Sequence, residues 1–246
     1  MADSKYIDHI NSISCLDFPV TEEQVDIFLK ANQGYKLRSD LSKINAKKIL
    51  ADVRSEHIKP TNVDYHKRTV LAAEIVYQLQ NEWSLGHVKL QKLIFLCQNS
   101  IDMAIHTNFL KQAMGPYDPI LMRSIDKQLK DRKWFKFNRD ANQKYQPLDD
   151  VGGHKEWYER YFSGQLEEIQ ELIRTFKKMK THNVELIGTL YASWQEVLEL
   201  DTDFEDNLLI DHFYKWSKEK EKFSIKEVRT AIDWMLEKGI YPTHRN

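Results

Sequence analysis

The 246-residue sequence predicts a mostly α-helical protein: a multi-helix bundle with one small β-hairpin and a C-terminal unit resembling a helix-turn-helix. Three observations predict it. Apolar residues recur at three- and four-residue steps along most of the chain, the period of a helix with one buried face. Punctuation is sparse, with 8 glycines and 6 prolines, so few tight turns are expected. One short stretch instead alternates aromatic and polar residues around an Asn/Asp-rich turn, the mark of a hairpin. Composition narrows the class further. Charges nearly cancel, 36 Lys and Arg against 37 Asp and Glu, which excludes a disordered polyelectrolyte and a uniformly basic histone-like protein. Mean hydropathy is −0.60, and no apolar run approaches the ~18 residues of a membrane-spanning helix.

The elements follow in order. Thr21 and Gln24 have capping-box spacing at the head of a helix whose stripe is Val25, Phe28 and Leu29, closed by Gly34. A second helix starts at Ser39 or Asp40 and turns Leu41, Ile44, Ile49 and Val53 inward. Periodicity fails between Glu56 and Asp64, around Pro60, and a linker is expected there. From Tyr65 it returns: Ala72, Ile75, Val76 and Leu79 share a face. A helix over about Val88–Ile105 is then apolar on most sides, as a central helix is. Met114 to Pro119 breaks the chain. A helix follows with Leu121, Met122, Ile125 and Leu129 inward, then the hairpin Trp134–Phe137 and Lys144–Leu148. Further helices are expected over Gly164–Lys180, Val184–Leu200, Glu205–Ser217 and from Ser224 to Gly239, the last with a capping box at Ser224 and Glu227. The chain divides into an N-terminal helical extension (1–60), a helical domain carrying the hairpin (65–150) and a C-terminal helical region (160–246).

Catalytic motifs are missing from the sequence. Gly152-Gly153 is followed by His154 and is no phosphate loop. No Gly-x-Ser-x-Gly elbow occurs. Cys97 lies within an apolar stripe and is expected to be a buried small hydrophobe. The 9 histidines lack metal-ligand spacing and are read as surface or turn residues. Asp201–Asp206 lacks the glycine and the distal glutamate of a calcium loop. No enzyme activity, metal or cofactor is expected. Two cysteines, Cys15 and Cys97, far apart, and a polar Met1–Asn11 fit a cytosolic, reducing location.

Charge is segregated. Arg123–Lys144 holds 8 Lys/Arg and 3 Asp, a local +5, and Lys36–Arg68 holds 9 Lys/Arg and 4 acids, also +5. Val184–Asp211 holds 8 acids and no Lys/Arg. Arg123, Lys127, Lys130, Arg132, Lys133 and Lys136, interleaved with Trp134, form a candidate surface for nucleic acid or a partner. In one reading the cations hold phosphates while aromatics stack on bases. In the other the aromatics cover the core and the lysines face water. The last three helices are read either as a helix-turn-helix, with Lys226, Glu227, Arg229, Thr230 and Glu237 exposed on the reader, or as a plain packing unit.

Leu71–Val76, then Val88-Lys89-Leu90-Gln91-Lys92-Leu93-Ile94-Phe95-Leu96-Cys97, then Met114-Gly115-Pro116-Tyr117-Asp118-Pro119 stand in an order that resembles the Panacea antitoxin domain family, that of SocA-like antitoxins and phage-associated GepA proteins. The resemblance spans about Tyr65–Leu148. It departs at Phe95-Leu96-Cys97, where the family has an aromatic pair and alanine, and at Tyr117-Asp118, in place of a valine-rich turn. The pattern through Trp134-Phe135 and Val184–Tyr191 also resembles segments accompanying type I restriction specificity subunits. The Panacea resemblance implies a helical domain that binds a protein, typically to neutralise a toxin, with Lys89, Leu90, Gln91, Lys92, Leu93, Gly115, Pro116, Tyr117 and Asp118 as the motif. Leu90, Leu93, Ile94 and Cys97 are expected in the core. Lys89, Gln91 and Lys92, off the stripe, are expected to be exposed, with Lys92 or Gln91 bonding carbonyls freed at the Gly115-Pro116 turn. A toxin or defence-system subunit is the expected partner, nucleic acid the alternative, and a homodimer fits a small regulator of this kind.

Overall fold

The computed structural model describes residues 61–138, 144–200 and 205–243. The capping box at Thr21 and the helices assigned within 1–60 lie outside these, as do Arg139, Asp140 and the start of the acidic loop at Asp201. The described part belongs to one compact unit, Thr61–Asn246. It is mostly helical, with two small antiparallel hairpins.

Helix α1 (Asn62–Leu79) begins at a capping box, Thr61 with Asp64, and buries nearly all of its second half. Helix α2 (His87–Ser100) buries Lys89 through Cys97 without interruption, the central helix that its apolar sequence implies. It stops five residues short of Ile105. The Asn99 and Ser100 side chains bond the Phe95 and Leu96 carbonyls, closing the last turn. Asp102, at φ 53°, then turns the chain away.

Strands β1 (Leu110–Gln112) and β2 (Gly115–Tyr117) form a hairpin where the sequence predicts only a break, with Lys111 opposite Pro116. At three residues each, they are too short to register as a period-2 pattern. Helix α3 (Pro119–Asp131) has the expected inner face of Leu121, Met122, Ile125 and Leu129. The expected hairpin is β3 (Phe135–Asn138) with β4 (Lys144–Pro147), Phe137 facing Tyr145.

Helix α4 (Lys155–Phe162) was not expected; two turns burying only Tyr158 and Phe162 leave little periodic signal. Helices α5 (Leu166–Phe176), α6 (Thr181–Leu198), α7 (Asp206–Lys215) and α8 (Ile225–Lys238) follow the expected segments. Helix α8 has the Ser224/Glu227 capping box and ends at Gly239 in the left-handed region. A 3-10 helix, Lys218–Lys222, joins α7 to α8. That join is longer than the three- or four-residue turn of a helix-turn-helix.

The packing axis is α2 against α6, with β2, α7 and α8 also resting on α6. A single apolar cluster runs from Val70 to Ile240, so 65–150 and 160–246 share one core. The Trp216 indole and Ser217 hydroxyl donate to the Gln112 and Ala113 carbonyls, tying the end of α7 to the first hairpin.

Candidate functional site

The motif on α2 lies inside the protein. Leu90, Leu93, Ile94 and Cys97 are core residues, as expected. Lys89, Gln91 and Lys92 are also buried, against the expectation that they face water. The reason is tertiary: α2 is covered all round, so being off its apolar stripe does not lead to solvent. Each lysine reaches backbone oxygens instead. Lys89 Nζ donates to Ser84 Oγ at 2.9 Å and to the Lys177 and Met179 carbonyls at 2.9 and 2.8 Å, which closes the end of α5 onto α2. Lys92 Nζ donates to the Pro116 carbonyl, the bond expected between the motif and its turn. Burial lowers the Lys89 amine to about 8. Burial, and then the Lys220 charge, lowers Lys92 to about 7.

The turn is shaped around Lys92. Gly115 has φ +89°, and a Cβ there would collide with Thr189 Oγ1 and sit 3.3 Å from Lys92 Cε. A Cβ on Gly188 would sit 3.0 Å from Lys92 Cδ. Two glycines from distant elements therefore form the walls along the lysine stem. Tyr117 is half-buried opposite Leu110. Asp118 caps α3: one oxygen accepts from Ile120 and Leu121 amides at 3.0 and 2.9 Å, the other from Asn108 at 3.0 Å. Every polar motif residue with a bond described here is thus committed to architecture.

Two buried carboxylates complete the interior. Glu185 on α6 meets Lys220 at 2.7 Å and the partly exposed Lys222 at 2.9 Å. Burial opposes its ionisation, but hydrogen bonds from both lysines prevail and its pKa falls. Glu74 on α1 meets His154 Nε2 at 2.9 Å and Lys155 Nζ at 2.7 Å, with Gln78 and Gln170 donating to its other oxygen. Burial again opposes ionisation; bonds from His154, Lys155 and Gln78 outweigh it and bring the pKa to about 2. His154, read from sequence as a surface or turn residue, is fully buried, carried there by the turn at Gly152 (φ +96°) and Gly153. Neither carboxylate opens to solvent. Burial pushes the Cys97 thiol up to about 12, which removes it as a nucleophile.

The outer basic surface has the opposite character. Arg123, Lys127 and Lys130 lie with Ile120 along the outer side of α3, and Arg132, Lys133 and Lys136 continue beyond its end; all are exposed. Among the described residues none of the six makes an ion pair. The aromatics between them face inward: Trp134, Phe135 and Tyr145 are 2%, 0% and 4% exposed. Base stacking on these three is excluded, and the core-covering reading describes them; the fourth aromatic of the segment, Phe137, is half-buried and stacked on His87 with ring centroids 3.6 Å apart. The acidic block is not one face either, since Glu185 is buried and Glu196 pairs with Lys111 at 3.2 Å. Helix α8, the candidate reader, carries three cations and three carboxylates, and its Arg229 bonds Asn207.

Among the described residues no three His, Cys, Asp or Glu side chains converge as metal ligands, and no helix is long and apolar enough to cross a membrane. No protein-family model, curated protein or solved structure matches the chain.

Proposed function

We propose that the chain is an interaction protein of antitoxin or adaptor type from a bacterial or phage conflict system, neutralising a partner by covering it. The observation that carries this reading is the outer side of α3 and the turn after it. Arg123, Lys127, Lys130, Lys133 and Lys136 are exposed and without ion pairs among the described residues, beside an Ile120 side chain that is 65% exposed. A row of cations with an isolated apolar anchor at one end suits an acidic partner surface with an apolar socket: the charges steer the encounter and the anchor supplies burial. The resemblance of Leu90–Leu93 and Gly115-Pro116 to the Panacea motif supports the same reading, with the motif as scaffold and the docking surface elsewhere.

Co-expression tests it. A gene next to this one is expected to be toxic alone and harmless beside the wild-type chain. The triple variant Lys127→Glu, Lys130→Glu, Lys133→Glu is expected to fold normally and fail to protect. Full protection by that variant assigns the docking surface elsewhere, and a neighbourhood without a toxic gene sinks the antitoxin reading.

A nucleic-acid-binding component of a restriction or phage-defence system is the second reading. It is favoured by the same unpaired cations, which match a row of phosphates. The same triple variant then loses binding to duplex or single strand, and wild-type affinity falls steeply with salt.

A further inference from the structure

Exposed aromatic surface and cations without ion pairs among the described residues meet at a second place, which adjoins the surface above only at the turn after α3: the start of α1, that turn, and α4. The α4 sequence Lys-Glu-Trp-Tyr-Glu-Arg-Tyr-Phe buries Tyr158 and Phe162. Trp157, Arg160 and Tyr161, at i, i+3 and i+4, therefore share another side of the helix. Trp157 is 37% exposed, a large area for so big a ring, and Tyr161 is half-buried next to it. Their rings lie 5.6 Å apart and only 33° from parallel. His66, from the second turn of α1, stands edge-on to both, at 5.0 Å and 74° to Trp157 and 5.4 Å and 88° to Tyr161. Its Nδ1 lies 2.8 Å from the Tyr161 hydroxyl. The two rings are therefore held in place before any ligand arrives.

Cations surround this platform. The Arg160 guanidinium is 5.7 Å from the Trp157 ring, and Lys67 Nζ is 5.9 Å from the Tyr161 ring. Arg132 lies 5.3 Å from the buried Trp134 ring, which itself packs 6.4 Å from His66. None of these three cations makes an ion pair among the described residues; of the two acids on α4, Glu159 projects from another side of the helix, and Glu156, one turn before Arg160, is not paired with it. Burial, and then the Arg132 charge, hold His66 below its usual pKa, so at neutral pH it acts as an uncharged wedge.

We infer that this surface binds single-stranded nucleic acid, with a base stacked on Trp157 and the flanking phosphates held by Lys67, Arg132 and Arg160. A pre-positioned aromatic plane ringed by unpaired cations is what an unpaired base and its backbone need. An acidic peptide would use the cations and leave the plane idle. A duplex would use them too, but its bases are already stacked on one another. The inference gives the nucleic-acid reading a site of its own and is independent of the antitoxin reading.

The test uses the full chain and the anisotropy of labelled oligodeoxythymidylate and oligouridylate, with duplex DNA and polyglutamate as competitors. Wild-type protein is expected to bind a single strand with affinity that falls as salt rises, and more tightly than duplex or polyglutamate. Trp157→Ala is expected to weaken binding roughly tenfold and Trp157→Phe much less, since a ring is kept. Arg132→Glu with Arg160→Glu is expected to weaken it further. Both positions are exposed, so unchanged circular dichroism and melting are expected in each variant. The two oligomers separate DNA from RNA, since only one offers a 2′-hydroxyl. The inference fails if neither oligomer binds, if polyglutamate or duplex competes as well as single strand, or if Trp157→Ala changes nothing. Loss of binding in the Lys127/Lys130/Lys133 charge reversal without loss in Trp157→Ala keeps the broader nucleic-acid reading and removes this site.

Discussion

Helices α2 and α3 carry the same kind of residue to opposite ends. Lys89 and Lys92 of α2 are sealed inside and bonded to carbonyls at the end of α5 and in the β2 turn. Arg123, Lys127 and Lys130 of α3 stand in water. The difference is not in local sequence, since both helices alternate apolar and cationic positions. It lies in how many sides are covered: α2 is enclosed by α1, α5, α6 and β2, whereas α3 rests on α1 and β3 through one side. An enclosed lysine becomes part of the framework, with an amine that tends to lose its proton. An open one remains a full charge available to a partner. Chemistry on the motif and chemistry on the surface are therefore separate questions in this protein.

Substitutions that pull the two classes apart are the way to break this contrast. The largest effect is expected from Glu185→Ala, which leaves Lys220 buried without its carboxylate and costs about 3–5 kcal/mol by chemical denaturation. Adding Lys220→Met should recover a good part of that loss; no recovery would mean that the pair's geometry, not its charge, carries the stability. Next is Glu74, whose folded pKa of about 2 lies below the ordinary 4.5. A depressed carboxylate adds stability above pH 4.5 and loses it as pH falls toward 2. The amount is on the order of 3 kcal/mol. Glu74→Gln should flatten that acid limb in melting curves taken from pH 6 to pH 2.

A smaller loss, about 1–3 kcal/mol, is expected for Lys92→Met, which removes the donor from the Pro116 carbonyl. Its pH dependence has the same sign as that of Glu74, in an alkaline window instead of an acid one, because both folded pKa values are depressed. With a folded pKa near 7, Lys92 sheds its proton in the folded state while the unfolded chain keeps it up to about 10.5. Wild-type stability relative to Lys92→Met should therefore rise between pH 7 and 10.5. The smallest effect belongs to Lys130→Ala on α3, within about 0.5 kcal/mol of wild type. A Lys130 loss matching that of Lys92 would erase the distinction between the two helices.

Much of the helical order was legible because it is written in long periodic segments. Leu121, Met122, Ile125 and Leu129 repeat over three turns, and the capping box at Ser224 and Glu227 marks a start that the fold uses. The parts that were not legible are short or depend on distant neighbours. Helix α4 has two buried positions and β1 has three residues, below what a period can reveal. The burial of Lys89 and Lys92 follows from carbonyls supplied by residues 177, 179 and 116, which no local pattern announces. His154 read as a turn residue because its partner Glu74 is 80 positions away. Trp157 escaped for a related reason: attention to basic segments leads to Trp134, which packs inward, while the exposed ring stands in a segment whose charges balance.

The slot between Gly115 and Gly188 has a consequence for how this sequence can drift. Its width fits an unbranched methylene chain, so the three positions 92, 115 and 188 share one volume. A methyl acquired at Gly188 has to be matched by a shorter residue at 92, and a shorter residue at 92 deprives the Pro116 carbonyl of its donor; a methyl at Gly115 also meets Thr189 and a left-handed backbone. Among descendants of this chain positions 92 and 188 are therefore free to change only together while Gly115 stays fixed, and a lysine kept at 92 beside two glycines identifies the same turn wherever it recurs.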